Sequence, residues 1–121
     1  MDERLQHALA HDRTIDITTR GRKTGQLRRT EIWFHNIDGQ VYITGTPGRR
    51  HWYANVVAHP EFTFHLKQTA NADLPARATP ILDTAKRRAI LASILQTLGG
   101  ARDLESWVGG SPLVAVEFLD A

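Results

Sequence analysis

No cysteine occurs in the 121 residues. That excludes a disulfide framework, a thiolate nucleophile and any cysteine zinc site, and it fits a cytoplasmic protein. No apolar run approaches the roughly 18–20 residues that span a bilayer. Met1–Ala10, which carries Asp2, Glu3 and Arg4, lacks the apolar stretch of a secretory signal. None of the three serines sits in a Gly-x-Ser-x-Gly nucleophile elbow. The six histidines include no His-Glu-x-x-His set, and without cysteine the zinc-deaminase signature is missing as well, so no metal site is expected. His35 and His65 fall on separate predicted strands that can be neighbours. No nucleophile or paired acid and base emerges, so no catalytic side chain is assigned.

What the sequence does hold is unevenly placed charge. The net charge is only +2. Between Arg20 and Arg50 there are seven basic residues against two acidic ones, whereas the rest of the chain has eight basic against eleven acidic. Such a local field favours anions. The plain alternative is a solvated basic surface.

Hydrophobic periodicity gives one α+β domain over residues 1–121. Asp2–His11 predicts a short helix, with Leu5, Ala8 and Leu9 on one face. Alternation predicts strands over Thr14–Thr19, Arg28–Ile37, Gln40–Thr46, Glu61–Lys67, Leu74–Leu82 and Pro112–Leu119. Asp38-Gly39 is a strong hairpin signal. Pro75 and Pro80 are expected at the ends of their strand or on an edge. A helix is predicted from about Arg50 to Ala58, stopping before Pro60. A longer one follows the N-cap Asp83 to Leu98, burying Leu91, Ile94, Leu95 and Leu98 while Lys86, Arg87 and Arg88 face water. Asp103–Val108 adds a further turn. Trp33, Phe34, Tyr42, Phe62 and Phe64 are expected in the core. Six strands with short connections predict a mostly antiparallel barrel or curled sheet with flanking helices.

Two loops carry the charge. In Gly21-Arg22-Lys23-Thr24-Gly25, followed by Arg28, the glycines permit positive φ, so that backbone N–H groups can converge on an anion. Arg22, Lys23 and Arg28 add charge, and arginine grips phosphate bidentately. The spacing is not that of a P-loop, and a strand follows, not a helix. The second loop, Thr46-Pro47-Gly48-Arg49-Arg50, leads into a helix N-terminus that also favours anions. Trp52 and Tyr53 offer faces to a planar ring. Trp52 and Val56, four apart, equally suit core packing, which is the favoured reading for Trp52.

Together these residues resemble the deazaflavin-dependent nitroreductase family, split β-barrel proteins that use coenzyme F-420. Thr18-Thr19-Arg20-Gly21-Arg22-Lys23-Thr24-Gly25-Gln26-Leu27-Arg28 matches one family motif, with Leu27 where proline is usual. Trp52-Tyr53-Ala54-Asn55 matches a second, and Ala58-His59-Pro60 stands at the usual Ala-Asn-Pro. The Thr46–His51 loop is shorter than the family's, and the family's C-terminal tyrosines have no evident equivalents, Trp107 being the only aromatic in that region.

The resemblance implies a six-stranded split barrel, a homodimer, and a groove for the cofactor. It implies that Lys23 and Arg28, assisted by Arg22 and Thr24, contact the phosphate-bearing tail. It further implies that Thr44, Gly45, Thr46, Gly48, Arg49, Arg50 and Trp52 line the rest of the cofactor site. The implied activity is hydride transfer from reduced cofactor to a small electrophilic acceptor: a quinone, an enone or a nitro compound. FMN is the alternative cofactor. A non-catalytic module that carries flavin, deazaflavin or haem is the alternative function, and a single-stranded nucleic-acid barrel is disfavoured.

Overall fold

The computed structural model describes residues 1–100 and 102–119. Six strands form a closed antiparallel barrel in the order β1-β2-β3-β6-β5-β4. The strands are β1 (Thr14–Arg20), β2 (Leu27–Ile37), β3 (Gln40–Thr44), β4 (Glu61–Leu66), β5 (Ala72–Pro80) and β6 (Leu113–Phe118), and the helices are α1 (Glu3–His11), α2 (His51–Ala58), α3 (Thr84–Leu98) and α4 (Leu104–Gly110). Among the described residues no helix is long and apolar enough to cross a membrane.

The barrel follows from period-two alternation. Ile15 and Ile17 of β1, Val41 and Ile43 of β3, Phe62 and Phe64 of β4, and Val114 and Val116 of β6 all point inward and are buried. Phe64 lies at the centre, edge-on to Phe34 and Phe118 at 5.3 and 5.1 Å between ring centroids. The β2–β3 turn has both central residues at positive φ, Asp38 at 52° and Gly39 at 89°, the conformation that matches strand twist in a two-residue hairpin.

The two short helices bury their apolar faces in this same core. Ala8 and Leu9 of α1 and Trp52 and Val56 of α2 join it. They sit at opposite ends: Asn36, late in β2, donates to the Leu9 carbonyl at 3.0 Å, while Asn55 of α2 donates to Thr19 Oγ1, late in β1, at 3.2 Å. Asp83 caps α3 and Asp103 caps α4 through side-chain bonds to backbone amides. These two helices pack outside the barrel, where Leu91, Ile94, Trp107, Val108 and Leu113 form a second core.

Several sequence expectations are corrected. Trp33 and Tyr42 project from the outer face, one step out of phase with Phe34 and Ile43. Trp33 is 47% exposed, its ring 5.1 Å from the Arg13 guanidinium, and Tyr42 packs with the second core. Arg87 is buried, not solvated. Leu95 and Leu98 are only partly buried. β3 ends at Thr44, and β5 begins at Ala72 and ends at Pro80. Pro75 lies inside β5, opposite Thr63. Its carbonyl accepts from the Leu119 amide at 3.0 Å, so its nitrogen faces the point where β6 has already ended, and no ladder bond is lost. His35 and His65 are not neighbours, because β1 separates β2 from β4.

Candidate functional site

The Gly21–Gly25 turn is built from its own backbone. The Gly21 amide donates to Gln26 O at 2.8 Å and the Gly25 amide to Gly21 O at 2.9 Å. Gly25 has φ 75°, which a residue with a Cβ adopts only at a cost. A Cβ on Gly21 would meet Thr24 Oγ1 at 3.2 Å. The Gln26 amide is held by Thr24 Oγ1, and the Arg22 amide by Asn55 Oδ1 at 3.2 Å. Of the amides from Gly21 to Gln26, only those of Lys23 and Thr24 lack a partner among the described residues. Four of these six amides are thus engaged within the protein, and the adjacent amides of Lys23 and Thr24 are left beside the basic side chains of the turn.

Those side chains converge on one cleft. Arg22, Lys23, Thr24 and Arg28 line a cavity of about 290 Å³ together with His51 and Asn55 of α2. Arg28 pairs with Thr19 in the β1–β2 ladder, and Thr19 is buried at the α2 end of the barrel. Among the described residues Arg22, Lys23, Arg28 and Arg49 form no ion pair. Arg29 differs: it points to the outer face and pairs with Asp16 at 2.9 Å. Lys67 reaches the same carboxylate at 2.7 Å and also pairs with Glu31. These bonds, Lys67 first and then Arg29, hold the Asp16 pKa below its usual value.

A second cleft adjoins the first and shares Arg22 and His51 with it. It adds Arg49, Arg50, Tyr53 and Ala54, with a volume of about 480 Å³. The two arginines play different parts. Arg50 braces the loop, donating to Thr46 O at 2.9 Å and Thr46 Oγ1 at 2.5 Å. The Arg49 side chain has no partner among the described residues. Gly48 sits at φ 132°, where a Cβ would lie 3.0 Å from the Arg50 guanidinium, and its amide donates to Gly110 O at 3.0 Å. The loop is thereby fastened to the end of α4.

Beyond Thr46 lies a pocket of about 240 Å³ on the outer face of β2 and β3, under α3 and α4. Thr44, Gly45 and Thr46 line it, facing Trp33, His35 and Trp107. The Thr44 hydroxyl donates to Pro112 O at 2.5 Å. Burial, with a smaller contribution from Arg13, lowers the His35 pKa to about 4, so the ring is neutral near pH 7.

The sequence-predicted residues thus divide. Arg22, Lys23, Thr24 and Arg28 meet in the first cleft, Arg49 and Arg50 in the second, and Thr44, Gly45 and Thr46 in the third. Gly48 lines a different cleft, with Tyr53 and Val108. Trp52 is 7% exposed and belongs to the barrel core, as its spacing with Val56 favoured. Sequence reasoning did not single out Asn55, Trp33 or His35 as site residues. Asn55 lay in the quoted Trp-Tyr-Ala-Asn motif; the out-of-phase position of Trp33 and His35 beside Phe34 was the available signal for the other two.

A family model described as F420H(2)-dependent quinone reductase matches residues 3–111. Among solved structures, the chain is similar to a conserved hypothetical protein from Mycobacterium tuberculosis, with a TM-score of 0.74 and 17% identity over 98% of this chain and 81% of that one. It is similar to an F420 reductase, with a TM-score of 0.71 and 16% identity over 99% and 97% of the two chains. A putative pyridoxamine 5'-phosphate oxidase from Listeria innocua gives a TM-score of 0.70 at 10% identity, over 96% and 91%. At such identities these structures speak to the fold alone, and all three share this chain's overall fold.

Proposed function

The chain belongs to the F420H(2)-dependent quinone reductase family, and on that premise we propose that its two adjoining basic clefts hold the anionic tail of coenzyme F-420 beside an acceptor pocket. The observation that carries this reading is the set of basic side chains without ion pairs. Arg22, Lys23, Arg28 and Arg49 follow one another along clefts that share Arg22 and His51. A phosphodiester with trailing carboxylates spreads its charge over a distance, and a row of separate cations suits it better than a single site does.

When bound, the reduced deazaflavin supplies a hydride. The residues of this chain bind, orient and exclude water. Lys23 and Arg28, with Arg22 beside them, hold the tail. Thr44, Gly45 and Thr46 lead to the pocket of Trp33, His35 and Trp107, where apolar surface shields a small quinone-type acceptor from solvent. Arg50 keeps the loop between tail and pocket in one conformation. No side chain is required as a nucleophile.

The reading includes a homodimer in the cytoplasm. Trp33 and Leu27, 47% and 66% exposed on β2, support a partner surface, and sedimentation equilibrium showing only a 13.6 kDa species would remove the dimer from the proposal.

The test is a fluorescence titration with coenzyme F-420 and with FMN at low and high salt. F-420 is expected to bind more tightly, with the steeper salt dependence. Tighter FMN binding at both salts would assign the protein to the flavin users of this barrel. Failure of both to bind below about 100 μM, roughly −5.5 kcal/mol, would leave no oxidoreductase role.

A further inference from the structure

Two histidines are equally enclosed but differently engaged. His65, 7% exposed, uses both ring nitrogens: Nε2 lies 2.7 Å from Thr18 Oγ1 and Nδ1 lies 2.6 Å from Asp73 Oδ1. His35, 9% exposed, makes no hydrogen bond or ion pair with the described residues. Its nitrogens are not sealed off, since among the described residues only Ser111 Oγ is both inaccessible and unpartnered. What His35 lines is the 240 Å³ pocket. A buried imidazole without a protein partner, opening on a cavity, is a hydrogen-bonding group left for a ligand.

The other polar side chains of the pocket are more committed. The Thr44 hydroxyl donates to Pro112 O, and the Thr46 hydroxyl accepts from Arg50. Arg102 is exposed at the rim and donates to Gly99 O. The indoles of Trp33 and Trp107 can only donate through their N–H groups. Among the side chains lining the pocket, His35 is the buried one that carries both a donor and an acceptor atom and has no partner for either among the described residues.

Resting on the functional reading above, we propose that His35 orients the acceptor, its imidazole N–H donating to the carbonyl oxygen of a small, planar, uncharged quinone or enone in the pocket it shares with Trp33 and Trp107. A cavity of 240 Å³ is smaller than the roughly 300 Å³ at which drug-sized sites begin, so it admits a compact ring and not a long molecule. Burial, and after it the cationic Arg13 ahead of β1, oppose protonation of the imidazole, and the other charged group lining the pocket, Arg102 between α3 and α4, is also cationic. A neutral imidazole keeps one N–H fixed for donation, and that donor is best placed where negative charge develops on oxygen. The hydride and its electron pair come from the reduced cofactor and reduce the acceptor. The resulting oxyanion takes its proton from water, and the imidazole N–H stays on the ring.

The probes are 1,4-naphthoquinone and, as its hydrocarbon control, naphthalene. In the wild-type protein without cofactor, naphthoquinone is expected to shift the His35 imidazole resonances in ¹H–¹⁵N spectra, whereas naphthalene leaves the N–H signal in place. His35→Phe and His35→Gln are expected to bind F-420 with unchanged affinity. In the phenylalanine variant kcat/KM for naphthoquinone falls about tenfold to a hundredfold, the worth of one hydrogen bond to a developing charge, and glutamine recovers part of it. Unshifted His35 signals, or unchanged kcat/KM in both variants, would overturn the proposal while leaving the cofactor reading intact. Should F-420 fail to bind the wild type, the cofactor reading falls, and the imidazole spectra still decide the role of His35.

Discussion

The side-chain oxygen of Asn55, buried on α2, accepts the Arg22 backbone amide at 3.2 Å and so joins the helix to the tip of the basic turn. Its amide nitrogen donates to the buried Thr19 hydroxyl at 3.2 Å. One side chain thereby sets the height of the tail cleft above the barrel. Asn55→Ala leaves these groups without partners. It is expected to lower stability by about 1–3 kcal/mol in a urea melt and to weaken F-420 binding in the same preparation. Wild-type affinity in a destabilised variant would show that the turn holds its shape alone.

Lys23→Ala and Arg28→Ala separate binding from folding. Both residues are exposed, and their side chains have no ion-pair partner among the described residues. Each is expected to raise the F-420 dissociation constant about tenfold to a hundredfold, the value of a charge-assisted contact of roughly 1.5–3 kcal/mol. The melting temperature stays at the wild-type value. Equal affinity in both variants would make the turn a solvated one.

Arg87 provides the opposite case. Its buried guanidinium donates to Ile81 O, Trp107 O, Val108 O and Ser111 O at 2.9, 3.3, 2.8 and 2.6 Å, joining α3 to the end of α4. Arg87→Met takes this donor from all four carbonyls, of which Trp107 O keeps the Ser111 amide, and is expected to cost about 3 kcal/mol or more. Arg87→Lys, without the planar fork, recovers only part of that. Chemical denaturation of the two variants checks the order.

The depressed pKa of His35 ties stability to pH. Its folded value is about 4 against 6.5 for the free group, so between these values the unfolded chain binds more protons. Stability therefore rises with pH through this window and falls on acidification, by about 3 kcal/mol at most. His35→Gln is expected to flatten the slope between pH 4 and 6.5. Asp16 acts lower: its pKa is held below 3.8 by Lys67 and Arg29, so its contribution is present above that value and lost beneath it. Urea melts of wild type and variant across pH 2–8 would separate the two.

Much of the fold was written in local signals. Alternating Ile15 and Ile17, the Asp38-Gly39 turn and the Asp83 cap each specify an element within a few residues, and each element formed where expected. The misreadings share one cause: they concern which neighbour a side chain meets across the fold. Arg87 reads as solvent-facing because three basic residues run together, but the carbonyls that receive it lie some twenty residues on. Trp33 reads as core because it is large and adjoins Phe34, yet strand phase sends it outward. Of the site, the cations of the first cleft were legible from the Gly-Arg-Lys-Thr-Gly spacing. The role of Asn55 as anchor was not, because it depends on α2 meeting the end of β1.

The last strand is also the one that closes the barrel. β6 lies between β3 and β5, pairing Val41 with Val116 on one side and Ala78 with Val116 on the other. As the chain emerges from a ribosome, β1 to β5 can pair with one another, but β3 and β5 keep open edges until residues 113–118 are free. Until then their unpaired N–H and C=O groups can recruit a strand from another nascent copy. A nascent chain is therefore at its most aggregation-prone until residues 113–118 have emerged, and a stop codon or protease cut ahead of Leu113 prolongs that state indefinitely.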